Sequence, residues 1–169
     1  RGMFSAARKT RAARLAARTS TSSGRFTPTA SYSAIPANVA VGDLVKLNVS
    51  GTSVCDNPIN RTLMVKAIGT KSIVLADTLN PAGGFTDADY GRFAARFDTL
   101  VYPLDVDNFG APSDLDGNGR VAILFTKAVN ELTLANSSSF VGGFFFARDL
   151  FPKAATADLQ ACASSNEGE

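Results

Sequence analysis

The chain has 169 residues, of which 45% are hydrophobic and 19% are charged, and its formal net charge is +2. This balance is typical of a globular protein rather than a disordered one, and no apolar run reaches the ~18–20 residues of a membrane span. The sequence contains no histidine and two cysteines. It therefore excludes histidine-dependent catalysis and a four-cysteine zinc site within this chain.

The positive charge is concentrated at the start of the chain. Residues 1–42 contain seven basic and no acidic side chains, giving +7, whereas the remainder contains ten basic and fifteen acidic side chains, giving −5. Residues 1–40 are predicted to be a basic arm, with an Ala- and Arg-rich helix followed by a Ser/Thr-rich linker. Its basic side chains include Arg8, Arg11, Arg14 and Arg18.

Several roles remain open for this arm. It fits an acidic protein partner, an anionic membrane surface contacted through residues 1–18, a targeting remnant, or a solvated basic face. Nucleic acid is disfavoured as a partner because no aromatic residues interleave with the arginines.

Residues 41–80 are predicted to form a small antiparallel β-module. Apolar and polar residues alternate over 41–50, and two further strand patterns cover 61–69 and 71–77. Gly69 and Thr70 separate the last two patterns, which predicts a hairpin.

Residues 81–169 are predicted to form a helix/sheet domain. The helix covers 86–105, with Thr86 or Asp87 as its N-cap and Pro103 at its end. Its core-facing stripe consists of Tyr90, Phe93, Phe97 and Leu100. Apolar runs predict a buried strand over 120–129 and a second strand over 140–151, where Gly142 and Gly143 permit a bulge.

An aspartate-rich loop lies before the first of these strands. Asp114, Asp116, Asn118 and Gly119 match the first half of a calcium-binding EF-hand loop, but the position of the bidentate glutamate is Phe125. Asp105 and Asp107 could supply substitute carboxylates. The alternative is a tight turn in which Asp, Asn and Gly satisfy backbone groups. Both a weak calcium site and a turn therefore remain open.

The two cysteines lie 107 positions apart, in polar surroundings. Buried free thiols usually have apolar neighbours, so the polar surroundings favour a disulfide between Cys55 and Cys162. This bond is predicted if the protein is exported. Two buried free thiols are the alternative.

Longer strings carry a resemblance to a known family. "KAIGTKSIVLADTLNPAGGFT", "FGAPSDLDGNGRVAILFT", "AVNELT", "GGFFFARDLFP" and "SSNEGE" resemble the N-terminal half of exported bacterial zinc metallopeptidases of the hyicolysin type. The resemblance covers about residues 41–169. It implies an α+β fold in which residues 81–169 form an incomplete zincin-like subdomain.

The same resemblance implies that the zinc-binding helix is missing from these residues. In that family, the Asn-Glu-Gly-Glu segment is followed by a strand and then by a helix carrying His-Glu-x-x-His, which is absent from these residues. No catalytic residue can therefore be assigned, and zinc is expected only if the polypeptide continues past Glu169. The chain is expected to be a structural or accessory relative of the enzyme, bound to a protein partner or to the remainder of the same polypeptide. The alternative is the N-terminal portion of an active zinc endopeptidase.

The resemblance also implies a role for residues 140–147. An edge strand beside the zinc helix pairs with extended peptide in zinc peptidases. Three consecutive phenylalanines place apolar groups on both faces, so an internal core strand is the alternative. The candidate substrate or partner strand consists of Phe140, Gly142, Gly143, Phe144 and Phe145.

Overall fold

The computed structural model describes residues 31–32, 34–51, 55 and 57–168. Within these residues the chain has a mixed α+β architecture, as predicted, built on one five-stranded sheet whose strands follow one another in sequence order. The strands are β1 Ser31–Tyr32, β2 Leu44–Asn48, β3 Asn60–Ile68, β4 Ser72–Asp77 and β5 Val121–Phe125.

The centre of the sheet is the predicted antiparallel module. β2 pairs with β3 and β3 pairs with β4 in antiparallel register, so the hairpin predicted at Gly69 is confirmed. β1 runs parallel to β2, and β5 runs parallel to β4. One sheet therefore contains strands from both sides of the domain boundary placed at residue 80.

The sheet has an apolar cluster on each face, because successive strand side chains point to opposite sides. Ile73 and Leu75 of β4 face one cluster, while Val74 and Ala76 face the other. The first cluster is completed by Ile35, Val39, Val45, Leu47, Leu63 and Val65. The second packs against the long helix through Tyr90 and Ala94.

The helix begins as the sequence predicts. It consists of α1 Asp87–Arg96, a π-helical turn Phe97–Val101, and α2 Tyr102–Phe109. Thr86 is its N-cap and forms a reciprocal capping box with Asp89. The predicted core-facing stripe is only partly correct, because Tyr90 is 5% exposed whereas Leu100 is 46% exposed.

Pro103 does not end the helix. A proline lacks the N–H of the normal helical bond, and its ring clashes with the carbonyl group four residues earlier. The preceding turn widens instead, and the N–H of Tyr102 donates to the carbonyl of Phe97, five residues earlier. The helix then continues to Phe109, where Gly110 follows with a φ of 89°.

The predictions for the later strands need correction. β5 is shorter than predicted, its side chains are only partly buried, and helix α3 Lys127–Glu131 follows it. Residues 140–146 form no strand, and Ala147–Leu150 form a 3-10 helix instead. Two of the three consecutive phenylalanines are exposed, Phe144 at 40% and Phe145 at 65%, so the predicted burial is also wrong.

Among the described residues, no helix combines the length and apolar character required to cross a membrane.

Candidate functional site

The aspartate-rich loop is a compact turn between α2 and β5. Asp114 has a φ of 53°, and its side-chain oxygen accepts the N–H of Gly119 at 2.8 Å. The Asp116 carboxylate accepts the backbone N–H of Asn118 at 3.1 Å, and the Asn118 oxygen accepts the N–H of Arg120 at 2.8 Å. All three predicted ligand side chains therefore bind backbone donors, as the turn interpretation requires.

The two upstream carboxylates lie elsewhere. Asp105 and Asp107 belong to α2, and both side chains are exposed. Residues two apart on a helix do not face each other, so they form no carboxylate pair. Within the described part of the chain, no group of three or more Asp, Glu or Cys side chains is arranged to hold a metal ion. Calcium binding at the loop stays a prediction.

The predicted substrate or partner segment is an exposed loop. Phe140 is 82% exposed, and Gly142 and Gly143 are also exposed. The N–H of Val141 donates to the hydroxyl oxygen of Thr133 at 3.0 Å, which attaches the loop to the end of α3. The strand expected here is absent, while its proposed role in binding peptide is not tested by this geometry.

The predicted disulfide is present. Cys55 and Cys162 are bonded, with a Cα–Cα distance of 5.1 Å. The N–H of Cys162 donates to the carbonyl of Pro152 at 2.8 Å, so Cys162 is attached to Pro152 as well as to Cys55.

The most buried cation of the described residues was not predicted from the sequence. Arg148 is 1% exposed, and its guanidinium donates to the carbonyl of Ser50 and, at 3.0 Å, to that of Asn48. It stacks over the ring of Phe146 at 4.5 Å and lies 3.6 Å from an Asp149 carboxylate oxygen. Burial lowers the pKa of Arg148 from its usual value, and the Asp149 charge partly offsets this effect.

Asn48 and Asn166 form the second part of this buried network. The Asn166 side-chain oxygen accepts the N–H of Asn48 at 2.8 Å, and its amide donates to the Asn48 carbonyl at 2.8 Å. The Asn48 side chain in turn donates to the carbonyl of Ser164 at 2.9 Å. The Asp149 carboxylate accepts the N–H of Asn166 at 2.7 Å. The end of β2, the 3-10 helix and residues 164–166 are therefore joined by polar contacts.

This polar network places the last described residues along β5. The N–H of Ala122 donates to the carbonyl of Gly168 at 3.0 Å. A Cβ atom at residue 168 would lie 3.0 Å from Cβ of Ala122, so the approach is closer than a residue with a side chain ordinarily allows. A cavity of about 120 Å³ lies beside the contact, and its lining includes Leu124, Phe144, Phe145, Arg148 and Asn166.

No periodic pattern in the sequence predicts this network, because its contacts with the end of β2 join residues 98 to 118 positions apart. The available signal was an arginine two positions after three consecutive phenylalanines, together with a polar string, Ser164-Ser165-Asn166, that is buried despite its composition. The predicted basic residues Arg8, Arg11, Arg14 and Arg18 lie outside the described residues.

Comparison with known proteins finds a similarity over one segment of the chain. No family model matches the chain. A segment of 66 residues is 35% identical to the neutral metalloprotease ShpI of Staphylococcus hyicus. The matched segment is 39% of this chain and spans 15% of that relative. Part of the chain is therefore similar to a metalloprotease.

Proposed function

We propose that these residues form a non-catalytic structural unit of an exported metallopeptidase-like protein, completed by another polypeptide segment. That segment belongs either to a partner protein or to the remainder of the same polypeptide. The observation that carries the proposal is the apolar surface around the outer edge of β5.

β5 is the last strand of the sheet, and all five of its side chains, Val-Ala-Ile-Leu-Phe, are only partly buried. The bond from Ala122 to Gly168 is made on the side away from β4, because Val121 donates to Lys71 on the β4 side. An apolar strand edge of this kind is a template for pairing with another strand.

Exposed aromatic and aliphatic side chains occur in the neighbouring loops. Phe140 is 82% exposed, Leu134 is 80% exposed and Phe145 is 65% exposed. Monomeric proteins rarely leave large apolar areas in water, and such areas commonly mark interaction surfaces. Phe145 lines the cavity beside Ala122 and Leu124 of β5 and therefore supports a polypeptide partner at this edge, while Leu134 and Phe140 add exposed apolar surface in the loops that follow the strand.

The sequence supports a non-catalytic role for these 169 residues themselves. They contain no imidazole, so a histidine-ligated zinc ion would take those ligands from other residues. The alternative is that this is the N-terminal portion of an active zinc-dependent endopeptidase whose catalytic helix lies beyond Glu169. The partial similarity to a metalloprotease supports either version.

Export is part of the same proposal. The Cys55–Cys162 disulfide is compatible with an oxidising compartment outside the cytosol. The basic arm adds an acidic protein partner or an anionic membrane surface as a further contact, through Arg8, Arg11, Arg14 and Arg18.

Intact mass and zinc content of the protein isolated from its source separate the two versions. A structural subunit completed by a separate protein is expected at a mass near 17.7 kDa without bound zinc, and one completed by its own polypeptide at a larger mass, also without zinc. A larger polypeptide with stoichiometric zinc would instead establish the endopeptidase version.

A second measurement tests the non-catalytic role directly. The purified 169-residue chain, supplied with zinc, is expected to leave casein intact under conditions in which an established zinc peptidase digests it. Metal-dependent digestion by this chain alone, abolished by a chelator, would contradict the proposal.

A further inference from the structure

A cavity of about 200 Å³ lies at the start of β5, near the hairpin turn between β3 and β4. The beginning of α2 and the aspartate-rich loop form its other walls. Its lining includes Lys71, Tyr102, Pro112, Asp114, Arg120 and Val121. Val121 belongs to β5, whereas the other lining residues lie outside that strand and outside the exposed loops described above.

Two cationic side chains are held in place at this cavity. Arg120 Nε donates to the carbonyl of Gly69 at 3.2 Å, and its Nη1 atom lies 3.4 Å from the carbonyl of Asn118. A guanidinium carries five N–H groups, so these two contacts orient Arg120 and leave further donors. The Lys71 ammonium lies over the ring of Tyr102, 5.2 Å from its centroid, in a cation–π contact.

Neither cation forms an ion pair with a carboxylate of the described residues. Six of the ten described cations lie within 4.0 Å of a carboxylate oxygen, namely Arg61, Lys66, Arg92, Lys127, Arg148 and Lys153. The two side chains therefore retain charge that a ligand can neutralise.

The nearby carboxylates are already engaged. Asp114 lines the cavity, and one of its oxygens accepts the N–H of Gly119. Asp98 lies beside the hairpin turn, where it accepts from Thr70, the N–H of Lys71 and the hydroxyl of Ser72. The side chains that line the cavity thus carry two positive charges and one negative charge.

We propose that this cavity binds a small oxyanion, such as sulfate, phosphate or the carboxylate of a small molecule. The Arg120 guanidinium donates to two of its oxygens in a planar fork, and the Lys71 ammonium approaches a third. Because both cations are fixed before binding, little side-chain freedom is lost when the anion enters. The site is independent of the proposed metallopeptidase role.

Titration with sodium sulfate at constant ionic strength, balanced with sodium chloride, tests the site in the full 169-residue chain. Saturable shifts are expected in the amide resonances of residues 69–72 and 118–121. Replacing both cations, as Lys71→Gln with Arg120→Gln, is expected to weaken sulfate binding about tenfold or more, since a hydrogen bond to a charged group contributes about 1.5–3 kcal/mol.

Two further variants keep the test decisive. Arg120 also holds two backbone carbonyls, so Lys71→Gln alone, which removes no side-chain hydrogen bond, is expected to fold normally and to weaken binding several-fold. Lys46→Gln, an exposed lysine on β2, is expected to bind sulfate as the unmodified chain does. Shifts that fail to saturate, or equal affinity in the Lys71 and Lys46 variants, would overturn the proposal.

Discussion

The β3–β4 hairpin and residues 132–168 are stabilised by different means. The hairpin is regular, and Leu63, Val65, Ile73 and Leu75 within it are fully buried. Residues 132–168 contain one short 3-10 helix and no strand, and they are held by a disulfide, a buried arginine and an asparagine pair. The hairpin depends on a repeated pattern, whereas the later segment depends on a few particular partners.

The difference follows from how each region buries its backbone. Strand pairing satisfies successive N–H and C=O groups without help from particular side chains. Residues 164–166 are buried without a full ladder, so side chains must supply the missing partners. Asn48 and Asn166 do this reciprocally. Substitutions in the two regions should therefore differ in how much they lower the free energy of unfolding and in how many residues they affect.

The largest effect is expected in the hairpin core. Leu63→Ala removes a fully buried side chain and should lower the free energy of unfolding by about 2–5 kcal/mol, because the transfer and cavity terms add. Leu134→Ala is the matched control in the later segment. Leu134 is 80% exposed, and its truncation should change stability by about 0.5 kcal/mol or less. Urea denaturation measures both values, and equal losses would contradict the comparison.

Loss of the disulfide should have the next largest effect. The double variant Cys55→Ala with Cys162→Ala should lower the free energy of unfolding by about 2–4 kcal/mol, because the bridge closes a long loop. Hydrogen exchange should show the largest loss of amide protection in residues 152–168. Loss of protection confined to β3 and β4, with residues 152–168 unaffected, would show that the bridge does not hold the C-terminal segment.

The two regions also differ in how well their structure could be predicted from the sequence. Alternating apolar residues identified β3 and β4, and Gly69 located the turn. The Thr86 cap was likewise visible in the sequence. Periodicity failed at 140–151, where three consecutive phenylalanines suggested a buried strand but two of them are exposed. Hydrophobicity alone does not show which apolar residues the described fold covers.

Other features were not predictable because they depend on contacts distant in sequence. Arg148 is buried by carbonyls 98 and 100 positions away, and Asn166 pairs with a residue 118 positions away. The helix passes Pro103 because one turn widens, and the same turn holds Asp98, whose carboxylate accepts hydrogen bonds from the hairpin. Neither arrangement has a local signature.

The asparagine pair should contribute less than the disulfide. Asn166→Ala removes the side-chain partner of the Asn48 N–H and one of the two donors to its C=O, which keeps Arg148. It should lower the free energy of unfolding by about 1–3 kcal/mol, the cost of leaving a buried polar group unsatisfied. Asn130→Ala, on the exposed side of α3, is the control and should have little effect. Faster exchange of the Asn48 N–H in the first variant alone would identify the lost contact.

The smallest effect is expected at the aspartate-rich loop. Its side chains already accept backbone N–H groups, and the positively charged Arg120 lies beside Asp114 in one cavity. A cation so close opposes the entry of a second one. We therefore expect a calcium chelator to leave the melting temperature unchanged. Asp116→Ala should lower it equally with and without calcium, because the variant loses a turn contact. A chelator-induced decrease in the unmodified chain that disappears in Asp116→Ala would instead establish a calcium site formed by Asp114, Asp116 and Asn118.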